Sequence, residues 1–168
     1  MDEEHAGTGP VVRDAGPDDA AAVRRFGEEH VPAHYTPLIG AEAAADQVRR
    51  WWDEARLAAA AADGLLVVAE IDGQLVGVGQ RGRLGADHVA YKLYVHPGHR
   101  GHGLGPALLD ALTRRLPADA DRLWIEHYAA NARAAAFYER EGFTVQRVEP
   151  GPGGDPALAV VWRARPLR

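Results

Sequence analysis

"YKLYVHPGHRGHGLGPALLDAL", residues 91–112, decides the fold. Its first five residues read as the end of an apolar strand, and Leu108, Leu109, Leu112 and Leu116 fall on one stripe of a helix. Between them, positions 96–106 hold four glycines and two prolines. Pro106 is tolerable only in a first helical turn, so the helix begins close to it. Without Cβ atoms, Gly101, Gly103 and Gly105 let backbone N–H groups approach a ligand, and a helix N-terminus favours an anion. The stretch therefore reads as a diphosphate cradle, with Arg100 at its entrance for a charge-assisted contact. Against this stands the simpler reading that glycine and proline only mark a loop. No Gly-Lys-Ser/Thr follows, and the position three after Gly103 is Pro106, so neither the nucleotide P-loop nor the dinucleotide fingerprint is met. His96, His99 and His102 stand three apart, but Pro97 and Gly98 deny them a common helical face and no cysteine or carboxylate accompanies them. No metal site is expected.

Outward from this turn, "HVAYKLYV" is the strand that feeds it. Upstream, "GLLVVAEIDGQLVGVGQRGRL" is a hairpin about Asp72-Gly73, a dipeptide suited to the positive φ of tight turns. Before that come a short strand at Val11, a turn at Gly16-Pro17, and a helix capped by Asp18 or Asp19 with Val23 and Phe26 inward. A loop is expected over "PAHYTPLIG" (32–40), then a single second helix whose bulky positions are Val48, Trp51, Trp52 and Leu57. Downstream, "DRLWIEHY" is a strand, "NARAAAFYEREG" a helix starting near Asn131, and "FTVQRV" and "ALAVVWRA" are closing strands. The order is β-α-α-β-β-β-α-β-α-β-β, a mixed sheet with helices on its faces.

The 168 residues, 46% hydrophobic and 26% charged, suit one domain over 11–168 after a disordered tail at 1–10. There is no cysteine, hence neither a disulfide framework nor a thiolate nucleophile. A formal charge of -5 argues against nucleic acid as a partner and makes a cationic acceptor easier to accommodate. No signal peptide or membrane span is apparent, and a cytoplasmic setting is the default expectation.

"LYVHPGHRGHGLGPALL" together with "LWIEHYAANARAAAFYEREGF" resembles the GNAT superfamily of N-acetyltransferases. Its phosphate-loop motif, Arg/Gln-x-x-Gly-x-Gly/Ala, is met by Arg100, Gly103 and Gly105. Its second motif is met by Asn131, Phe137-Tyr138 and Gly142-Phe143. The resemblance implies an α/β (α+β) fold, a mixed and mostly antiparallel sheet of about seven strands flanked by about four helices, with splayed central strands. It implies acetyl transfer from acetyl-coenzyme A to an amine in a ternary complex. Leu93, Tyr94 and Val95 would bind the pantetheine and polarise the thioester, with the phosphates on Gly101, His102, Gly103, Leu104, Gly105 and Pro106, the proline lacking an N–H of its own.

Tyr138 is the candidate acid for the leaving thiolate. It lies two helical turns after Asn131 and so on the same face; the competing reading is a core aromatic. Glu126 is the candidate base, because "LWIEHY" resembles the ribosomal-protein alanine N-acetyltransferase branch with a glutamate at this place. It equally reads as a solvent-facing strand residue. The glutamate that many members carry before the glycine turn is missing from "HVAYKL", which leaves His88, His127 or a water as substitutes, and Lys92 reads equally as a solvated edge charge.

The family's first two helices wall the acceptor pocket, which would bring His34, Tyr35, Trp51 and Trp52 to the substrate, although a core role explains a tryptophan as well. Glu28 and Glu29 either attract the amine or are ordinary helix surface. A small-molecule amine is the leading acceptor; the alternatives are a protein N-terminus or lysine, or a non-catalytic acyl-coenzyme A sensor. Homodimers are common in the family, and no stretch marks an interface.

Overall fold

Asp72 and Gly73 both adopt positive φ, 51° and 76°, and so close the tight hairpin between β2 (Leu66–Ile71) and β3 (Gln74–Leu84). The computed structural model describes residues 9–167; most of the expected N-terminal tail lies outside the described residues. On the hairpin is built a seven-stranded sheet. β1 (Val11–Asp14) pairs antiparallel with β2, and β4 (Asp87–Val95) antiparallel with β3. Beyond β4 come β5 (Arg122–Tyr128), then β7 (Val160–Pro166), with β6 (Thr144–Glu149) at the far edge. The β4–β5 pair alone is parallel, which requires the crossover carried by α4 (Leu104–Arg114).

The alternating strands bury both faces. On one, Leu104, Leu108, Leu109 and Leu112 of α4 and Tyr138 of α5 (Ala132–Arg140) pack on Val67, Ala69, Leu123 and Ile125. On the other, α1 (Ala20–Ile39), α2 (Ala41–Trp51) and α3 (Glu54–Ala62) cover Leu66, Val68, Val78 and Tyr94 with Val23, Phe26, Val31, Trp52 and Leu57.

Two expectations are corrected here. No loop spans 32–40: α1 runs on through Pro32 and Pro37 to Ile39. A proline inside a helix costs about 3 kcal/mol, yet Val31 is fully packed, Tyr35 lies against the core, and Thr36 Oγ1 bonds back to the Pro32 carbonyl at 2.6 Å. Tertiary burial overrides the local penalty. The second helix, in turn, is two, which gives five α-helices among the described residues where about four were expected. Trp52 leaves helical geometry and enters the core, and Asp53 starts α3 by accepting a hydrogen bond from the Arg56 N–H at 3.1 Å. Trp51, adjacent, stays half exposed.

Trp52 fits only because α1 carries Gly27 opposite it. A Cβ there would fall 2.4 Å from Trp52 Cε3. Helix propensity favours alanine by about 1 kcal/mol, but overpacking costs about 1–3 kcal/mol and should win. Gly27→Ala is therefore expected to lower Tm by a few degrees, read by calorimetry. A more stable variant would show that the tryptophan yields freely.

Candidate active site

β4 stays bonded to β3 along its length but to β5 only at His88, Ala90 and the residue between them, opposite Leu123–Ile125. Next on β4 is Tyr91, skipped by the β3 register, in which Arg81 faces Ala90 and Gln80 faces Lys92. This bulge sharpens the local twist, and beyond it the two strands part. The backbone groups of Leu93 and Val95 that would have met β5 are left to the gap. β5 continues on its other side, fully paired to β7.

The gap opens into a cavity of about 1070 Å³ that runs to the glycine turn. Gly103 caps α4 in the left-handed region, φ 78°, and supplies no side-chain cap, so the first-turn N–H groups of Leu104 and Gly105 have no helical partner. A Cβ at Gly101 (φ 83°) or Gly103 would meet nothing within 4 Å, so the space above both is open. That concavity of free donors suits a diphosphate. Gly105 serves another purpose: its Cβ would lie 3.2 Å from the Phe137 ring, so the glycine lets α5 pack close. Arg100 lies over the Tyr94 ring at 5.8 Å and lines the same cavity.

Most of the residues singled out in the sequence meet on this cavity. Leu93, Tyr94, Val95, Gly101, Gly103, Leu104, Gly105 and Pro106 line it from β4 and the turn, and Asn131 and Tyr138 from α5 and its cap. Glu126 lines it from β5, and His34, Tyr35, Trp51 and Trp52 from α1 and α2 with its C-terminal cap. His102 does not; it is exposed and off the wall. Asn131 spends its side-chain oxygen on the Ala134 N–H at 3.1 Å, so its direct part is to start α5. Glu28 pairs with Arg24 on the surface, and neither Glu28 nor Glu29 reaches the cavity.

The electrostatics divide the titratable groups. Burial, helped by nearby Tyr35, holds the Tyr138 phenol far above its ordinary value, so it stays protonated. Its ring stacks on His127 at 6.2 Å, and its hydroxyl has no protein partner among the described residues. Glu126 is raised by desolvation, and further by Glu149, with Arg147 opposing. Among the described residues it forms no ion pair, and so remains a carboxyl available to the cavity. His127 is committed elsewhere: Nδ1 sits 2.9 Å from the Tyr128 carbonyl and Nε2 accepts from Arg163 Nε at 3.0 Å. His88 does not line the cavity. Of the glycine-turn histidines, His96 Nδ1 accepts from the Gly98 N–H at 2.9 Å and its ring packs against His30 and His99.

Lys92 overturns its reading as a solvated edge charge, because β4 is the middle strand of the sheet. Its ammonium points into the cavity, donating to Gln80 Oε1 at 2.8 Å and lying 5.5 Å from the Trp52 ring centre. The sequence also offered no pointer to Gln47, which donates to the Tyr128 hydroxyl and so ties α2 to β5 at this end of the cavity. Only the tertiary fold brings these two together. Among the described residues no helix is long and apolar enough to cross a membrane.

Comparison with known proteins agrees with this geometry. The chain is 35% identical over 135 residues to a mycothiol acetyltransferase of Propionibacterium freudenreichii subsp. shermanii, a match that takes in 73% of this chain and 39% of that protein. The chain thus spans about two fifths of that relative's length. The PaiA N-acetyltransferase of Thermoplasma acidophilum, solved in complex with coenzyme A, superposes with a TM-score of 0.76 at 15% identity, covering 95% of this chain and 99% of that one. For yncA of Salmonella typhimurium, solved with its cofactor acetyl-CoA, the TM-score is 0.66 at 24% identity, covering 96% and 95%. The sequence model of the acetyltransferase (GNAT) domain matches residues 62–145, half of this chain, from the end of α3 through the splayed strands, the glycine turn and α5. The chain belongs to the GNAT acetyltransferase family.

Proposed function

We propose that this enzyme transfers an acetyl group from acetyl-coenzyme A to the nitrogen of a small-molecule amine, by direct attack in a ternary complex. One observation carries the reading: the glycine turn and the β4–β5 gap share a single cavity, so a ligand with its diphosphate on α4 extends its thioester along β4. Acetyl-coenzyme A supplies the activated acyl group. The bound coenzyme in the PaiA and yncA structures supports the choice of donor.

In this scheme the free backbone of Leu93 to Val95 binds the pantetheine arm and offers an N–H to the thioester oxygen. A fixed donor at a developing oxyanion is worth about 10²–10³ in rate. Glu126, on the facing strand, removes the proton from the acceptor ammonium directly or through water. The nitrogen then forms its bond to the acyl carbon as the carbon–sulfur bond breaks. The acylated nitrogen sheds its second proton, through water, to the Tyr138 phenolate, which has given its own proton to the departing sulfur. The tie between Gln47 and Tyr128 narrows the acceptor end, which favours a small amine over a peptide threaded across the surface.

Glu126 must be ionised to accept a proton, and its environment raises its pKa. Activity should therefore fall as the solution is acidified, at a pH above that of an ordinary exposed carboxylate. Glu126→Gln should remove this acidic limb from the kcat/KM profile and lower the plateau about 100-fold. A variant with the wild-type profile would move the base to another group. The transfer itself is tested by mass spectrometry of an amine mixture incubated with the enzyme and isotopically labelled acetyl-coenzyme A. A labelled small amine is expected; labelled peptides alone would favour the protein-directed alternative.

A further inference from the structure

Among the charged side chains that line the cavity without an ion-pair partner among the described residues, Glu126 and Lys92 stand at the gap between β4 and β5. Glu126 is the first β5 residue past the last β4–β5 bridge, and Lys92 the second on β4. Both lie on the face of the sheet that α1–α3 cover. Glu126 alternates in register with Tyr128, which meets Gln47 and Tyr35, while Lys92 meets Trp52. They thus flank the mouth of the gap from opposite sides.

We infer that the acceptor is an amine carrying its own carboxylate, an amino acid or close relative, with Lys92 as the residue that reads the acid group. The inference rests on the acetyl-transfer reading above and narrows its substrate. A half-buried ammonium has three donors to satisfy, and Lys92 places one of them on Gln80. Water in the free enzyme, or an anion in the complex, must take the rest. Burial, with Arg56 adding to it, lowers Lys92 to about 8, so at neutral pH it is still mostly charged and lacks a counter-ion. Arg56 stands over Trp51 at the same cavity and adds positive potential. An uncharged or purely cationic amine would leave Lys92 uncompensated; an amino acid neutralises it while its ammonium meets Glu126.

The test is a panel of α-, β- and γ-amino acids, each paired with its carboxamide and its decarboxylated amine, assayed for coenzyme A release. The free acid is expected to exceed its carboxamide in kcat/KM by about 30-fold for at least one scaffold. Intrinsic reactivity works against this outcome, since α-amino amides hold more free amine at neutral pH than the acids do. Lys92→Met should bring the ratio of acid to carboxamide close to one, and Lys92→Arg should keep it above about ten. Carboxamides or decarboxylated amines turned over as well as the acids by the wild type would overturn the inference while leaving acetyl transfer standing. A ratio unchanged in Lys92→Met would also overturn it. If no member of the panel is acetylated although other amines are, the inference fails alone; if no amine at all is acetylated, it falls together with the reading beneath it.

Discussion

Tyr138→Phe is expected to lower kcat about 100-fold while leaving the dissociation constant for coenzyme A within a factor of about two. The asymmetry follows from where the two parts of the side chain stand. The ring is held by His127, Phe137 and Phe143, at centroid distances of 6.2, 5.2 and 5.6 Å, and phenylalanine preserves every one of these contacts. Among the described residues the hydroxyl has no hydrogen-bond partner, so deleting it orphans no donor and should not disturb the fold. In the proposed scheme only the proton delivered to the leaving sulfur is lost. Because burial keeps the phenol protonated throughout the working range, the deficit should not vary with pH between about 6 and 9. Steady-state kinetics beside calorimetric binding separate the two quantities. An unchanged kcat would reduce Tyr138 to a core aromatic, and a matched loss of affinity would make it a binding residue.

Gly103→Val should have the opposite signature, with affinity for coenzyme A falling on the order of 100-fold. Gly103 sits at φ 78°, ψ 10°, a conformation that costs a side-chain-bearing residue about 1–2 kcal/mol and a β-branched one more. If the backbone relaxes, the N–H groups of Gly103 and Leu104 turn away from their common focus. If it holds, the new side chain enters the open space assigned to the phosphates. Either response weakens binding. Gly73→Val controls for general damage, since Gly73 has a similar φ of 76° in the β2–β3 turn, away from the cavity. It should lower Tm without changing affinity. Equal affinity losses in the two variants would indicate a global effect and remove the special role of the turn.

The parts of this fold that are written locally were legible in the sequence. Asp72-Gly73, the glycine turn and the Asn131 cap each impose a backbone conformation through their own chemistry, and the hydrophobic stripe of α4 follows from its period. Helix limits were harder where local and tertiary preferences oppose one another. Pro32 and Pro37 argue for a loop, but Val31 and Tyr35 are held against the core on either side of Pro32. Ala-rich continuity from 41 to 63 argues for one helix, but burying Trp52 against Gly27 breaks it. The candidate site divides along the same line. Tyr138 and the cradle carry motif signals, whereas Lys92 acquires meaning only from the strand order that makes β4 central and from the bulge at Tyr91 beside it. No periodicity in "HVAYKL" distinguishes a half-buried ammonium in a cavity from a solvated one on an edge.

Titration of the folded protein with acetyl-coenzyme A in a calorimeter tests the central claim most directly. One site per chain with a micromolar dissociation constant is expected, lost in Gly103→Val and retained in Tyr138→Phe. Folded wild-type protein that takes up neither acetyl-coenzyme A nor coenzyme A would contradict the account.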